Sequence, residues 1–279
     1  MNILRYLLFF PVLLLIPACS LVSGSGSSSG KKIVVLDIGH YLNGAVGTGA
    51  MSPRMKDGRR LEETVFWYQY SGYVKDEIEK GGYSCVVTNR GKAPRTPELL
   101  AVARKTPVIQ LNRPDTRGAN GRPFRYPSKY HPEHIAAGMI SADFAIWKGA
   151  ASVVFLHHDS SSDNWQPVCK STILHNVRNG RPLAASVVNS INERILGDSG
   201  GKMPNNGKIC RLEPRSNADL GGAAWLNTCD ASGIPAIVVE AAMLNNPNHA
   251  YWLAQDDNAI RFARAVGKGV VNYLKASGK

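Results

Sequence analysis

Four side chains, far apart in the 279-residue chain, are of the right types to do chemistry together: His40, Glu63, His157 and Glu240. Two imidazoles and one carboxylate, with a fourth position left open, are a known ligand set for catalytic zinc. The two histidines do not form an i, i+4 pair on one helix, so a shared site has to be assembled by the tertiary structure. Taken singly, a histidine at a strand end is more often a structural residue. What singles the four out is the kind of segment that delivers each.

The run Ile33-Val34-Val35-Leu36-Asp37-Ile38-Gly39-His40 is apolar and β-branched until it stops at Asp, Gly and His. Ser152-Val153-Val154-Phe155-Leu156 leads straight into His157, His158 and Asp159, and Pro235-Ala236-Ile237-Val238-Val239 leads into Glu240. Short apolar runs of this kind predict strands buried in a parallel sheet. Their polar ends then lie at the carboxyl edge, where open α/β sheets bind ligands. A helix is predicted over 61–80, with Phe66, Tyr70, Val74 and Ile78 as its buried stripe and Gly81-Gly82 at its end. Residues 41–60 join this helix to the first strand and read as an active-site loop.

Further strands are predicted at 83–88, 107–111 and 170–177, and helices at 133–149, 182–196 and 258–276, with a short helical segment in 219–229. Strands and helices alternate, which predicts one α/β domain. Its mostly parallel, twisted sheet is flanked by helices, with the active site at the carboxyl ends of the strands. The segment 89–132 is rich in Arg and Pro; Arg113, Arg117, Arg122 and Arg125 are candidates to bind a carboxylate-bearing substrate, or form a solvated basic loop.

Residues 1–19 read as a targeting segment: Arg5, an apolar stretch too short to span a bilayer, and Ile16-Pro17-Ala18-Cys19 at its end. That ending resembles a bacterial lipoprotein site, where Cys19 would carry the lipid; the alternative is ordinary cleavage nearby, which discards it. Residues 20–31 form a Ser/Gly tether, and 32–279 the catalytic domain. The predicted location is therefore outside the cytoplasm, in the periplasm or cell envelope. The net charge of +12 then suits anionic wall polymers and lipids rather than nucleic acid. A monomer is expected.

Without Cys19, four cysteines remain: Cys85, Cys169, Cys210 and Cys229. They allow three pairings in an oxidising compartment. Cys210–Cys229 is the first expectation, buried free thiols the alternative. There is no CxxC, so no zinc–cysteine site is expected.

Several stretches resemble one family in their order along the chain. They are Val35-Leu36-Asp37-Ile38-Gly39-His40, the acid-led helix from Glu63, Gly82-Tyr83 with Thr88, Phe155-Leu156-His157-His158-Asp159, and Ala236-Ile237-Val238-Val239-Glu240. Together they resemble the zinc-dependent N-acetylmuramoyl-L-alanine amidases, cell-wall hydrolases with an α/β fold. Pro182-Leu183-Ala184 and Ala265-Val266-Gly267-Lys268-Gly269-Val270 are similar too. The resemblance implies that His40, Glu63 and His157 bind zinc and that Glu240 is the catalytic glutamate. It implies peptidoglycan as substrate, cleaved at the amide between N-acetylmuramic acid and L-alanine.

Glu62 is the alternative to Glu63. Glu63 keeps the family register to Gly82-Tyr83 and leaves Val74 and Ile78 inward. His158 neighbours His157 but points to the other face of a strand, which makes it a supporting or substrate contact. The chain departs from the family at Ile38 and Tyr41-Leu42, where Pro and Gly are usual. Two other functions share these features: a wall-binding lipoprotein with an inactive site, and a zinc peptidase acting on the stem peptide.

Overall fold

The β-branched runs form adjacent parallel strands at the centre of one sheet. The computed structural model describes residues 31–41, 49–90, 101, 107–111, 133–159, 172–196, 204–205, 208–209, 213–216 and 223–279. In chain order the elements are β1 (Ile33–Tyr41), α1 (Glu63–Lys80), β2 (Ser84–Arg90), β3 (Val108–Gln110), α2 (Glu133–Trp147), β4 (Ser152–Asp159) and β5 (Thr172–His175). Then follow α3 (Arg181–Ile191), a wider π turn (Asn192–Leu196), β6 (Pro204–Asn205), β7 (Lys208–Ile209) and β8 (Glu213–Ser216). The chain ends with α4 (Ala224–Ala231), β9 (Ala236–Met243), α5 (Pro247–Leu253) and α6 (Asp256–Ala276). Lys31–Lys279 is one compact unit.

The seven-stranded sheet has the order β3-β2-β1-β4-β9-β5-β8. The pairs β3/β2, β2/β1, β1/β4 and β4/β9 are all parallel. β5 runs antiparallel to β9, and β8 parallel to β5. The fold is thus α/β with a mostly parallel sheet, as expected. β6 and β7 form a separate two-stranded ribbon.

Alternation along the central strands divides the core into two layers. Val34, Leu36, Ile38, Val154, Leu156, Ile237 and Val239 face α1, α3 and α6. Val35, Val153, Phe155, Ala236 and Val238 face α2 and α4. Each fully buried Val, Leu, Ile or Phe contributes ~1.5–3 kcal/mol, so the central strands are the most firmly held part of the sheet.

α1 buries Phe66, Trp67, Tyr70, Val74 and Ile78. It stops at Gly81-Gly82, and Gly82 takes a φ of +99°, open to glycine without strain. α6 approaches α1 and α3 closely: a Cβ on Gly267 would lie 2.6 Å from the Val74 carbonyl, and one on Gly269 3.0 Å from that of Ser186.

The expected elements occur within a few residues of their predicted bounds, with several differences. β6, β7 and β8 were not expected, and β8 joins the main sheet beside β5. The strand into Glu240 continues to Met243, α5 was not foreseen, and the helix expected to reach residue 196 relaxes into a π turn after Ile191. Cys229 is a buried thiol among the residues facing α2 and is free among the described residues; Cys210, the other half of the expected bridge, lies outside them. Cys85 is free and buried as well, and burial pushes both thiols up, Cys229 to about 12. Such thiols are inert at neutral pH. Cys19, Cys169, Cys210, the targeting segment 1–19, the tether up to residue 30 and the four arginines of 89–132 lie outside the described residues. Among the described residues no helix is long and apolar enough to cross a membrane.

Candidate metal centre

The carboxyl ends of β1, β4 and β9 lie side by side, because those strands are neighbours in the sheet. His40 is the last residue but one of β1, His157 lies near the end of β4, and Glu240 is the register partner of His157 on β9. Glu63 enters from above the sheet as the first residue of α1. An acid in the first turn also suits the positive end of the helix dipole.

His40, Glu63 and His157 each present a ligand atom, and these atoms lie within 4.8 Å of one another. The Glu63 carboxylate sits between the rings, with Oε2 3.3 Å from His40 Nε2 and Oε1 2.9 Å from His157 Nδ1. Two backbone donors orient it. The Ala50 N–H donates to Oε2 at 2.7 Å and the His158 N–H to Oε1 at 3.0 Å. The Glu63 N–H donates in return to the Ala50 carbonyl at 3.0 Å. Glu63 is 1% exposed, and a buried carboxylate without such partners would cost several kcal/mol. Burial pushes its pKa up; the hydrogen bonds and charges of His157 and His40 outweigh this and hold it well below the usual carboxylate range.

Glu62 is not in this group; it forms an isolated bridge with Met51 as the segment before α1 folds back on itself. Of the two adjacent acids, the structure therefore brings Glu63 to the histidines.

Each imidazole is held in its own way. The His157 ring stacks on Trp225 at a centroid distance of 6.3 Å and lies directly over Gly39, where no side chain stands in its way. The His40 ring meets the His157 ring edge-on at 5.1 Å. His40 has a φ of +57°, and among the described residues no other non-glycine residue has a positive φ. That conformation costs about 1–3 kcal/mol and persists where the surroundings over-determine it. Gly49, opposite, takes a φ of +82°, and a Cβ there would press on both Glu63 and His40.

His158 turns to the other face, as strand alternation requires. Its ring stacks on Trp67 at 5.1 Å and meets Phe66 edge-on at 4.6 Å. Burial pushes its pKa down to about 3. It is thus no substrate contact through its ring; its backbone N–H is what reaches Glu63.

The Glu240 Oε2 is buried and has no hydrogen-bond partner among the described residues. Burial, and then the negative charges of Glu63 and Asp159, push its pKa well above the usual range.

Asn89, at the end of β2, was not foreseen; the sequence reading ended the strand one residue earlier. Its polar side chain, two residues beyond the apolar Cys85-Val86-Val87, was the available signal. Asp37, also without an assigned role, is buried, and its Oδ1 accepts from the hydroxyls of Thr88 and Ser141, tying β1 to β2 and α2.

The donor set fits a zinc ion by its chemistry: two imidazole nitrogens and one carboxylate, with the carboxylate independently oriented by backbone N–H groups.

No protein-family model matches the sequence, and no curated protein does. The fold does match solved structures. Cwp6 from Clostridium difficile aligns with 88% of this chain at 15% identity and a TM-score of 0.54; the chain spans 30% of that longer protein. The N-acetylmuramoyl-L-alanine amidase AmiC2 of Nostoc punctiforme aligns at 18% identity and a TM-score of 0.52, over 88% of this chain and 98% of its own. The CwlD amidase from Clostridioides difficile, solved in complex with the GerS lipoprotein, aligns at 13% identity and 0.53, over 88% and 100%. At these identities the likeness is one of fold: the chain has the α/β fold of N-acetylmuramoyl-L-alanine amidases.

Proposed function

We propose that this chain is a zinc-dependent N-acetylmuramoyl-L-alanine amidase, hydrolysing the amide between N-acetylmuramic acid and L-alanine in peptidoglycan. One observation carries the reading. On a sheet with the amidase fold, His40, Glu63 and His157 converge at the carboxyl edge with Glu240 paired in register to His157.

His40, Glu63 and His157 would hold a zinc ion, which when bound supplies a Lewis acid for the amide carbonyl and lowers the pKa of the attacking water. Glu240 accepts a proton from that water at its unpaired oxygen. A C–O bond forms, the C–N bond breaks, and Glu240 gives the proton to the leaving amine. The products are the lactyl carboxylate of the sugar and the free α-amine of L-alanine. Glu63, held by Ala50 and His158, is fixed for ligation rather than proton transfer.

The same reading places the protein outside the cytoplasm, its domain on the tether and Cys19 lipidated in the envelope membrane. Metabolic labelling with a fatty acid tests this: label retained in Cys19→Ala would remove the anchor.

Metal analysis of the purified protein, with mass spectrometry of digested peptidoglycan, tests the activity. The expected result is one zinc per chain and stem peptides released with free N-terminal L-alanine. Cleavage inside the stem would make the protein a peptidase. Intact wall in the presence of bound zinc would make it a binding protein.

A further inference from the structure

β1 and β2 fall out of step beside the metal centre. Asp37 pairs with Thr88 and Tyr41 with Arg90, so three residues of β1 (Ile38, Gly39 and His40) stand opposite the single residue Asn89. A bulge of this kind breaks the ladder and leaves backbone groups to be satisfied otherwise. Here the side chain of Asn89 does so. Its Nδ2 donates to the Ile38 carbonyl at 2.7 Å and to the His40 carbonyl at 3.0 Å. The carbonyl between them, on Gly39, accepts from the Thr64 hydroxyl at 3.0 Å.

The amide's orientation is itself determined. Asn89 Oδ1 accepts from the Tyr68 hydroxyl at 2.8 Å, and the Tyr68 oxygen accepts from Gln110 Nε2 at 2.9 Å. With its oxygen receiving from Gln110, Tyr68 directs its proton to Asn89, which leaves the Asn89 NH₂ facing the two carbonyls. Asn89 and Tyr68 are both 1% exposed, so water does not compete for these bonds.

We infer that Asn89 is a positioning residue: through a two-carbonyl clamp, oriented by Tyr68, it holds the bulge that presents the His40 ring, in its positive-φ conformation, to the metal. It touches neither metal nor substrate. The inference rests on the proposed zinc site and adds to it the reason His40 stays in a conformation that non-glycine residues rarely adopt.

Zinc affinity, measured by competition with a chromophoric chelator, and the visible spectrum of the cobalt-loaded protein provide the test. Asn89→Ala should weaken zinc binding about 10–100-fold, the range for losing a group that orients a ligand, and alter the cobalt spectrum. Tyr68→Phe should shift both in the same direction by less. Thr88→Val is the control, since Thr88 makes equally buried bonds to the Leu36 carbonyl and Asp37 one residue earlier. It should lower the Tm while leaving zinc affinity within about twofold of wild type.

Wild-type zinc affinity and spectrum in Asn89→Ala would overturn the inference. So would an equal loss in Thr88→Val, which would mean general loosening of the sheet. Should Asn89→Ala fail to fold, wild-type affinity in Tyr68→Phe would overturn it. A wild-type protein that bound no zinc would instead remove the proposed function itself.

Discussion

Gly39 lies against the ring of His157, so closely that a Cβ at position 39 would stand 2.6 Å from both ring nitrogens. Gly39 itself has no positive φ, so alanine would cause no backbone strain there. The conflict is with the imidazole alone. On the other side the ring is backed by Trp225, which leaves it little room to retreat. Gly39→Ala should therefore fold with a Tm near wild type but bind zinc at least about tenfold more weakly. Calorimetric titration with zinc checks this; unchanged affinity would mean that the ring is not fixed by this contact.

In the proposed mechanism Glu240 moves protons and does not hold metal. Its partner in register is His157, and its buried oxygen has no partner among the described residues. Glu240→Gln keeps the shape and removes the base. It should retain one zinc per chain and lose about 10²–10⁴ in kcat on purified wall fragments. Turnover near the wild-type rate would remove Glu240 as the base.

The three central strands were legible because burial on both faces demands continuous apolar runs, and because such runs end where polar side chains begin. The polar residues at those ends, His40, His157 and Glu240, therefore belong to one edge of the sheet. Glu63 was preferred to Glu62 because it keeps the register to Gly82-Tyr83 and leaves Val74 and Ile78 inward. What holds its carboxylate was not legible, because the Ala50 and His158 N–H groups come from other parts of the chain. The role of Asn89 was hidden for the same reason: register shifts arise from how two strands meet, and neither strand alone carries the sign. The antiparallel direction of β5 was likewise invisible, since a four-residue strand such as Thr172–His175 reads the same both ways.

The ligand set should behave as a unit, with Glu62 outside it. His40→Ala, Glu63→Gln and His157→Ala should each abolish stoichiometric zinc and activity together. Glu62→Gln should leave both within about twofold of wild type, as an exchange outside the buried group does. Chelation should silence the wild-type enzyme, and added zinc should restore it. Full zinc content in Glu63→Gln, or its loss in Glu62→Gln, would reverse the assignment.

His249 links stability to pH through a mechanism separate from catalysis. It is fully buried at the start of α5's neighbourhood with β9, and its Nδ1 accepts the Met243 N–H at 3.2 Å, which requires the neutral ring. Burial pushes its pKa down to about 4, against about 6.5 in the unfolded chain. Between those values the unfolded state binds the extra proton. The contribution of His249 is thus complete above about pH 6.5, declines as pH falls towards about 4, and does not change below that. Its full size is about 3 kcal/mol, at 1.36 kcal/mol for each pKa unit. His249→Asn keeps an acceptor for the Met243 N–H and cannot titrate. Urea unfolding of the metal-free protein between pH 7.5 and 4.5 should show the variant losing less stability than wild type, by about 2 kcal/mol at the acid end. Curves that stay parallel across that range would show that His249 is not held neutral in the folded state.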